Sequence, residues 1–210
     1  MTTKLRTEQT SIELQPQASA PKLVRLALTS GTSWQNDAPE TLIGSADVGG
    51  KLTELHWKFN LQASRTDARN VRFVYDCANP HLRLVWEWKA PASSGPLEHR
   101  THIENLDTRE IWIPLQDSLT FSLATDSNAG LKHFYIEKGA GKPSAIGTHE
   151  NKLPVGYRWS GASSTYAHSA NNQPREIIPW FAVQNTNHSR TGWYVGIKFS
   201  GRTRLSLERT

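Results

Sequence analysis

The chain has 210 residues, a net charge of +5 and one cysteine. This length is sufficient for one large domain with its own hydrophobic core, and the lone Cys77 excludes an internal disulfide and is predicted to be a small buried apolar side chain on a strand. The 24 basic residues are interspersed with 19 acidic ones and form no basic run, which favours a mixed solvated surface and argues against a nucleic-acid partner.

The first part of the chain is polar. Residues 1–20 are rich in Thr, Gln and Ser and lack the apolar segment of a secretory signal, so we expect a mobile leader and a cytoplasmic protein. No stretch approaches the roughly 20 apolar residues of a membrane-spanning helix, so we expect no membrane partner.

From residue 21 onward, apolar and polar side chains alternate with a period of two, and Gly, Pro, Asn and Ser turns interrupt them at short intervals. Alternation of this kind is typical of half-buried strands. It predicts an all-β fold, a large antiparallel two-sheet sandwich, as a single domain over residues 21–210. Residues 138–173 are poorer in alternation and predict an irregular loop excursion. The clearest alternating sets are Leu55, Trp57, Phe59 and Leu61; Val71, Phe73 and Tyr75; Leu82, Leu84, Trp86 and Trp88; Ile111, Ile113 and Leu115; Leu119, Phe121 and Leu123; Ile177, Phe181 and Val183; Trp193, Val195, Ile197 and Phe199.

The sequence has no pattern of a nucleotide, metal or nucleophile site. The glycines of residues 139–143 precede a Lys-Pro pair and not a helix start, which excludes the P-loop and dinucleotide motifs. His99 and His102 would lie on opposite faces of a strand, so we expect polar surface residues and no zinc site. No serine lies in a nucleophile elbow, and nothing marks two carboxylates as a glycosidase pair. We therefore expect no cofactor, no metal and no catalysis by this chain alone.

Eight tryptophans stand out in the composition. Four of them fall on the apolar side of alternating segments and are predicted core residues: Trp57, Trp86, Trp88 and Trp193. Others are candidates for exposed rings, which can stack on the C–H face of a sugar while polar neighbours bind its hydroxyls. The predicted carbohydrate-binding residues are Trp159, Trp180, Trp112, Arg158 and Glu137. Packing of these rings against another protein domain is an equally good interpretation.

Three stretches combine proline, aromatic and glycine residues in a recognisable order. They are Ile111–Leu119 (IWIPLQDSL), Arg175–Gln184 (REIIPWFAVQ) and Gly192–Arg202 (GWYVGIKFSGR). Together they resemble the N-terminal β-sandwich of alpha-galactosidase (melibiase-type) glycoside hydrolases, with a likeness that covers roughly residues 23–209. The resemblance implies a galactose-mutarotase-like supersandwich, which in that family precedes a catalytic (β/α) barrel that carries the nucleophile and the acid/base carboxylate.

No catalytic residue is carried over from this resemblance. A barrel needs about 250 residues, and the Lys-(Trp/Tyr)-Asp nucleophile motif of the family does not occur here. The resemblance implies a non-catalytic, carbohydrate-associated domain that packs on a barrel absent from this chain, and Trp159 is the candidate for the rim of a sugar pocket. A galactoside or another sugar, the barrel and a homo-oligomer are the expected partners. Three alternatives stay open: a free-standing sugar-binding module, a structural interaction domain, and an epimerase in which a His and a carboxylate converge in a sheet concavity.

Overall fold

Antiparallel strands build the molecule. A computed structural model of the chain describes residues 2–36, 38–125, 128–138, 147–163, 176–187, 191–198 and 201–210. These residues form eighteen strands and no helix, so none of them belongs to a helix long and apolar enough to cross a membrane. The strand pairs within them are antiparallel. The predicted all-β, antiparallel fold class is confirmed.

Two compact units divide the chain, Met1–Thr125 and Asp126–Thr210. The prediction of one domain over residues 21–210 differs from this division, because alternation marks strands but carries no information on which strands pack together. The strands of the first unit are β1 (Thr3–Arg6), β2 (Thr10–Pro16), β3 (Pro21–Leu28), β4 (Ser33–Gln35), β5 (Ser45–Val48), β6 (Lys51–Glu54), β7 (Trp57–Phe59), β8 (Arg65–Thr66), β9 (Asn70–Cys77), β10 (Leu82–Lys89), β11 (Glu98–Asn105) and β12 (Ile111–Trp112).

A sandwich of two sheets encloses the core of the first unit. One sheet has the order β1-β2-β3-β4, and the other has the order β11-β10-β9-β7 with β8 beside β9. Inward residues of both sheets belong to one apolar cluster, in which the Phe73 and Trp86 rings stack with centroids 5.6 Å apart. Trp57, Trp86, Trp88 and Cys77 are buried as predicted. A third sheet, β12-β5-β6, completes this unit.

The prediction of a mobile leader over residues 1–20 is wrong. Strand β1 pairs with β2, and β2 pairs with β3. Leu5 and Leu14 are fully buried and Ile12 is 1% exposed. Both strands bury one face only, so the polar residues of the other face dominate their composition and imitate the composition of a disordered segment.

The second unit contains a smaller sandwich. Its strands are β13 (Leu131–Glu137), β14 (Gly147–Lys152), β15 (Arg158–Ser163), β16 (Ile177–Asn185), β17 (Gly192–Gly196) and β18 (Thr203–Glu208). They form a sheet in the order β14-β13-β16-β17 and a pair β15-β18, with an apolar cluster that includes Leu131, Phe181 and Val183 and against which Trp193 packs. Strands β14 and β15 correct the predicted loop excursion over residues 138–173, of which residues 139–146 and 164–173 lie outside the described residues.

Two further predictions are corrected by the packing. His99 is half-buried and not the exposed surface residue predicted: it lies opposite Trp88 on the neighbouring strand, its ring centroid is 4.9 Å from that of Trp88, and burial lowers its pKa to about 4. His102, on the other face, is exposed as predicted. The alternation from Ile111 to Leu123 yields only the two-residue strand β12, and Leu115 is 96% exposed.

Candidate functional site

A depression on the second unit brings together two of the five predicted site residues, Trp159 and Glu137. It has a volume of about 370 Å³, and we call it the Trp159 depression. Its lining consists of Tyr135, Glu137, Trp159, Ser160, Gly161, Ala162, Glu176 and Ile177. Strands β13, β15 and the start of β16 therefore position the candidate site.

Trp159 lies on a strand, which corrects its predicted place in a loop. It is opposite Leu207 of β18, and Gly161 is opposite Leu205. Trp159, Gly161 and Ser163 are the less exposed positions of β15, while the residues between them are exposed. The alternation was hidden in the sequence because two of the three inward positions are occupied by Gly and Ser, which have no apolar side chain to signal them.

Gly161 provides the space that the Trp159 ring occupies. A β-carbon at this position would lie 2.7 Å from Ile177 Cδ1 and 2.8 Å from Trp159 Cζ2. Both distances are shorter than non-bonded carbon atoms tolerate. The absence of a side chain at Gly161 is therefore what allows the indole to lie across the strand and against Ile177.

The Trp159 indole packs against three other aromatic rings. Its ring centroid is 4.6 Å from that of His133, 5.1 Å from Tyr135 and 5.6 Å from Phe181. His133 is inaccessible to solvent, and its Nδ1 lies 2.9 Å from the Tyr157 hydroxyl. Burial lowers the pKa of His133 to about 4, so this ring is neutral near pH 7. The half-buried Trp159 indole therefore packs on aromatic rings that carry no charge.

Both carboxylates of the depression lie beside basic side chains. Glu137 Oε2 is 3.2 Å from His149 Nε2, and the His149 ring stacks on Tyr135 at 4.5 Å with an interplanar angle of 10°. Lys138 Nζ donates a hydrogen bond of 3.0 Å to Glu176 Oε2. A carboxylate has more acceptor positions than one such neighbour occupies, so both groups can also accept hydrogen bonds from a neutral ligand.

The described residues offer oxygen and nitrogen atoms beside an aromatic face, and no cluster of three or more of them could hold a metal ion. An indole face binds the apolar C–H side of a sugar, and paired carboxylates and bases bind its hydroxyls. The chemistry that this arrangement supports best is recognition of a small polyhydroxylated molecule.

The other three predicted site residues are not in the lining of this depression. Arg158 projects from the outer face of β15, where its Nε donates to Glu208 Oε1 at 3.0 Å. Trp180 pairs across the strands with Gly196 and is partly buried. Trp112 belongs to the first unit and is 66% exposed.

Among the residues that sequence inspection missed are Tyr135 and Glu176 in the lining and His149 beside it. Tyr135 and Glu137 are two apart on one strand, so their common face could have been inferred from the period of two. His149 lies opposite Tyr135 only because β13 pairs with β14 in this register. Glu176 is placed by the pairing of β13 with β16, and neither register has a signal in the sequence.

Solved structures of alpha-galactosidases contain a fold similar to that of this chain. No protein-family model and no curated protein matches the chain. The structure is similar to that of GH36 alpha-galactosidase AgaA from Geobacillus stearothermophilus, with a TM-score of 0.68 at 12% identity, over 99% of this chain and 35% of that chain. An AgaA variant in complex with raffinose gives a TM-score of 0.67 at 12% identity over the same shares. AgaB from the same organism gives 0.64 at 12% identity, over 98% of this chain and 34% of its own.

The chain spans about a third of the length of these enzymes. At this identity the similarity concerns the fold, and at that level it confirms the resemblance predicted from the Pro-Trp and Gly-Trp-Tyr stretches. A match to about one third of the enzyme's length is the size expected of one of its domains. The chain therefore has the fold of a domain-sized part of a GH36 alpha-galactosidase.

Proposed function

We propose that the chain is a non-catalytic, carbohydrate-associated domain that packs on the catalytic barrel of an alpha-galactosidase-like glycoside hydrolase. The observation that carries the proposal is the fold similarity, which covers 99% of this chain but 35% of AgaA. The described residues form no helix, so the alternating strands and helices of a (β/α) barrel have to come from elsewhere. A cytoplasmic location and a homo-oligomer stay predictions, which cell fractionation and light scattering would test.

The Trp159 depression is the proposed sugar site of this domain. The exposed part of the Trp159 indole would stack on one face of a pyranose ring, and Glu137 and Glu176 would accept hydrogen bonds from its hydroxyls. An AgaA variant has been crystallised with raffinose, which makes galactosides the ligand class to test first. Arg158 and Trp180 stay predictions without support from this geometry.

Calorimetric titration of the purified chain with raffinose tests the sugar site. Glu137→Gln keeps the shape of the side chain and removes its charge, and we expect binding weaker by at least about tenfold because a hydrogen bond to a charged group contributes about 1.5–3 kcal/mol. Glu150→Gln is the matched control, because Glu150 lies on the neighbouring strand β14, pairs with Lys132 and does not line the depression. Flat titrations of the unsubstituted chain with galactosides would refute the proposed sugar site.

The absence of catalysis is tested separately with a nitrophenyl alpha-galactoside. We expect no hydrolysis by the purified chain above the background rate. Robust turnover that a single substitution such as Glu176→Gln abolishes would contradict the non-catalytic role. Size-exclusion chromatography adds a further distinction, since a stable oligomer that is indifferent to sugars would favour the structural interaction domain.

A second candidate function, an aldose epimerase, is favoured by one observation. His149 Nε2 and Glu137 Oε2 approach to 3.2 Å beside the depression, and epimerisation needs an acid and a base within reach of one sugar. In this structure the two groups contact each other, so a substrate would have to separate them before either could act on it. Polarimetry of freshly dissolved α-D-galactose measures the rate of its mutarotation. If the chain accelerates mutarotation and Glu137→Gln removes the acceleration, this candidate is supported. Mutarotation at the uncatalysed rate excludes it.

A further inference from the structure

A second depression, on the first unit, surrounds the exposed Trp112. Its volume is about 540 Å³, and we call it the Trp112 depression. The lining consists of Asp47, Val48, Gly49, Gly50, Arg109, Glu110 and Trp112. An exposed indole beside several charged side chains is a combination that carbohydrate sites share, and each part of it is held in place by the sheet β12-β5-β6.

Pairing of the strands fixes the direction of the Trp112 ring. Trp112 is opposite Asp47, and Asp47 is opposite Leu52, so the three side chains share one face of the sheet. Ile111, the preceding residue, points the other way and packs against the core of the first unit. The indole is consequently 66% exposed although its backbone is paired with β5.

The turn between β5 and β6 orients Asp47. Gly49 and Gly50 have φ angles of 64° and 85°, which is the conformation of a tight hairpin turn that glycine adopts without strain. The Gly50 amide donates a hydrogen bond of 2.7 Å to Asp47 Oδ1. No hydrogen bond to Asp47 Oδ2 is found in the described part of the chain, so this oxygen is available to a ligand.

Arg109 is held in one orientation by its neighbours. Its Nε and Nη2 donate to the two carboxylate oxygens of Asp107 at 2.9 and 2.7 Å, and Nη2 also approaches Asn79 Oδ1 at 3.3 Å. A two-pronged pair of this kind fixes the plane of the guanidinium. Within the described ranges, Arg109 Nη1, the Trp112 indole N–H and the Glu110 carboxylate have no hydrogen-bond partner, so the depression holds two donors and two carboxylates for a ligand.

We infer that the Trp112 depression is a second carbohydrate subsite, which binds one neutral pyranose ring on the Trp112 indole. The inference rests on the proposed function as a carbohydrate-associated domain. Asp107 neutralises the charge of Arg109, so Asp47 and Glu110 leave the depression negative. Negative potential favours neutral hydroxyl donors and repels anionic sugars. Glu110 and Asp47 would accept hydrogen bonds from hydroxyls, and Arg109 Nη1 would donate one.

Nuclear magnetic resonance of the indole N–H groups separates this subsite from the Trp159 depression. The ¹⁵N-labelled chain is titrated with D-galactose and, in parallel, with anionic D-galacturonate, and the Trp112 and Trp159 signals are assigned with Trp→Phe variants. We expect saturable shifts of the Trp112 signal with galactose and at least about tenfold weaker binding of galacturonate. Glu110→Gln should weaken the galactose response of Trp112 about tenfold, whereas Glu54→Gln, on strand β6 outside the lining, should not change it.

The outcomes distinguish the two sites. A Trp112 signal that stays fixed while Trp159 responds overturns this inference and leaves the proposed function intact. A Trp112 signal that responds alone supports the inference and overturns the Trp159 site. If neither signal moves, both are overturned, and equal affinity for galacturonate would refute the assignment to neutral sugars.

Discussion

Glu40 is a buried carboxyl group in the first unit, and its ionisation should control the stability of that unit. The residue is 4% exposed. Its Oε2 accepts a hydrogen bond of 2.7 Å from the Trp86 indole N–H, and its Oε1 is buried without a hydrogen-bond partner among the described residues. Desolvation raises the pKa of Glu40 to about 8, although the Trp86 hydrogen bond lowers it. Near pH 7 the folded protein therefore holds a neutral Glu40, while the unfolded chain holds a charged one.

The direction and size of the effect follow from this difference. Above pH 4.5 the unfolded chain releases the Glu40 proton before the folded protein does. The contribution of Glu40 to the free energy of unfolding therefore falls as the pH rises from about 4.5 to about 8 and is constant above that. At about 1.4 kcal/mol per pH unit the total loss is about 5 kcal/mol. Glu40→Gln keeps the shape of the side chain and removes the titration.

Urea unfolding at pH 5 and pH 9, followed by tryptophan fluorescence, measures the effect. The substituted chain should gain about 4 kcal/mol relative to the unsubstituted chain between these two pH values. His99, with a pKa of about 4, titrates in both proteins and cancels in the comparison. Burial of the amide adds an offset that does not depend on pH. A difference between the two proteins that is the same at both pH values would refute the assignment of a neutral, buried Glu40.

Two predictions concern the second unit. The methyl group of Gly161→Ala would clash with Ile177 and Trp159. We expect the free energy of unfolding to fall by about 1–3 kcal/mol and the Trp159 indole N–H resonance to shift. Unchanged stability and an unchanged spectrum would show that the strand accommodates the methyl group. His133 has a pKa lowered by burial to about 4, so the unfolded chain binds more protons below pH 6.5 and the unit should lose about 3 kcal/mol between pH 6.5 and pH 4. Unfolding curves of His133→Gln should lack this loss, and an acid sensitivity equal to that of the unsubstituted chain would exclude His133 as its source.

Alternation in the sequence predicted the strands of the main core, although the alternating segment from Ile111 to Leu123 forms only the short strand β12. Trp86, Val71 and Phe73 are buried as their spacing requires, because successive side chains on a strand point to opposite sides whatever the strand pairs with. The same local rule predicted that Trp112 opposes Ile111 and is exposed. It failed for β15, where Gly161 and Ser163 face inward, and for the polar strands β1 and β2.

Only the tertiary structure decided which side chains meet. Trp159 and Glu137 were candidates from the sequence, but their common depression depends on the registers of β13, β15 and β16 and on the room left by Gly161. The raised pKa of Glu40 likewise results from desolvation inside the folded unit, which residues distant in the sequence create. The direction of a side chain is a local property of the backbone, which the sequence determines, whereas strand register, burial of charge and the shape of a depression result from contacts between distant segments.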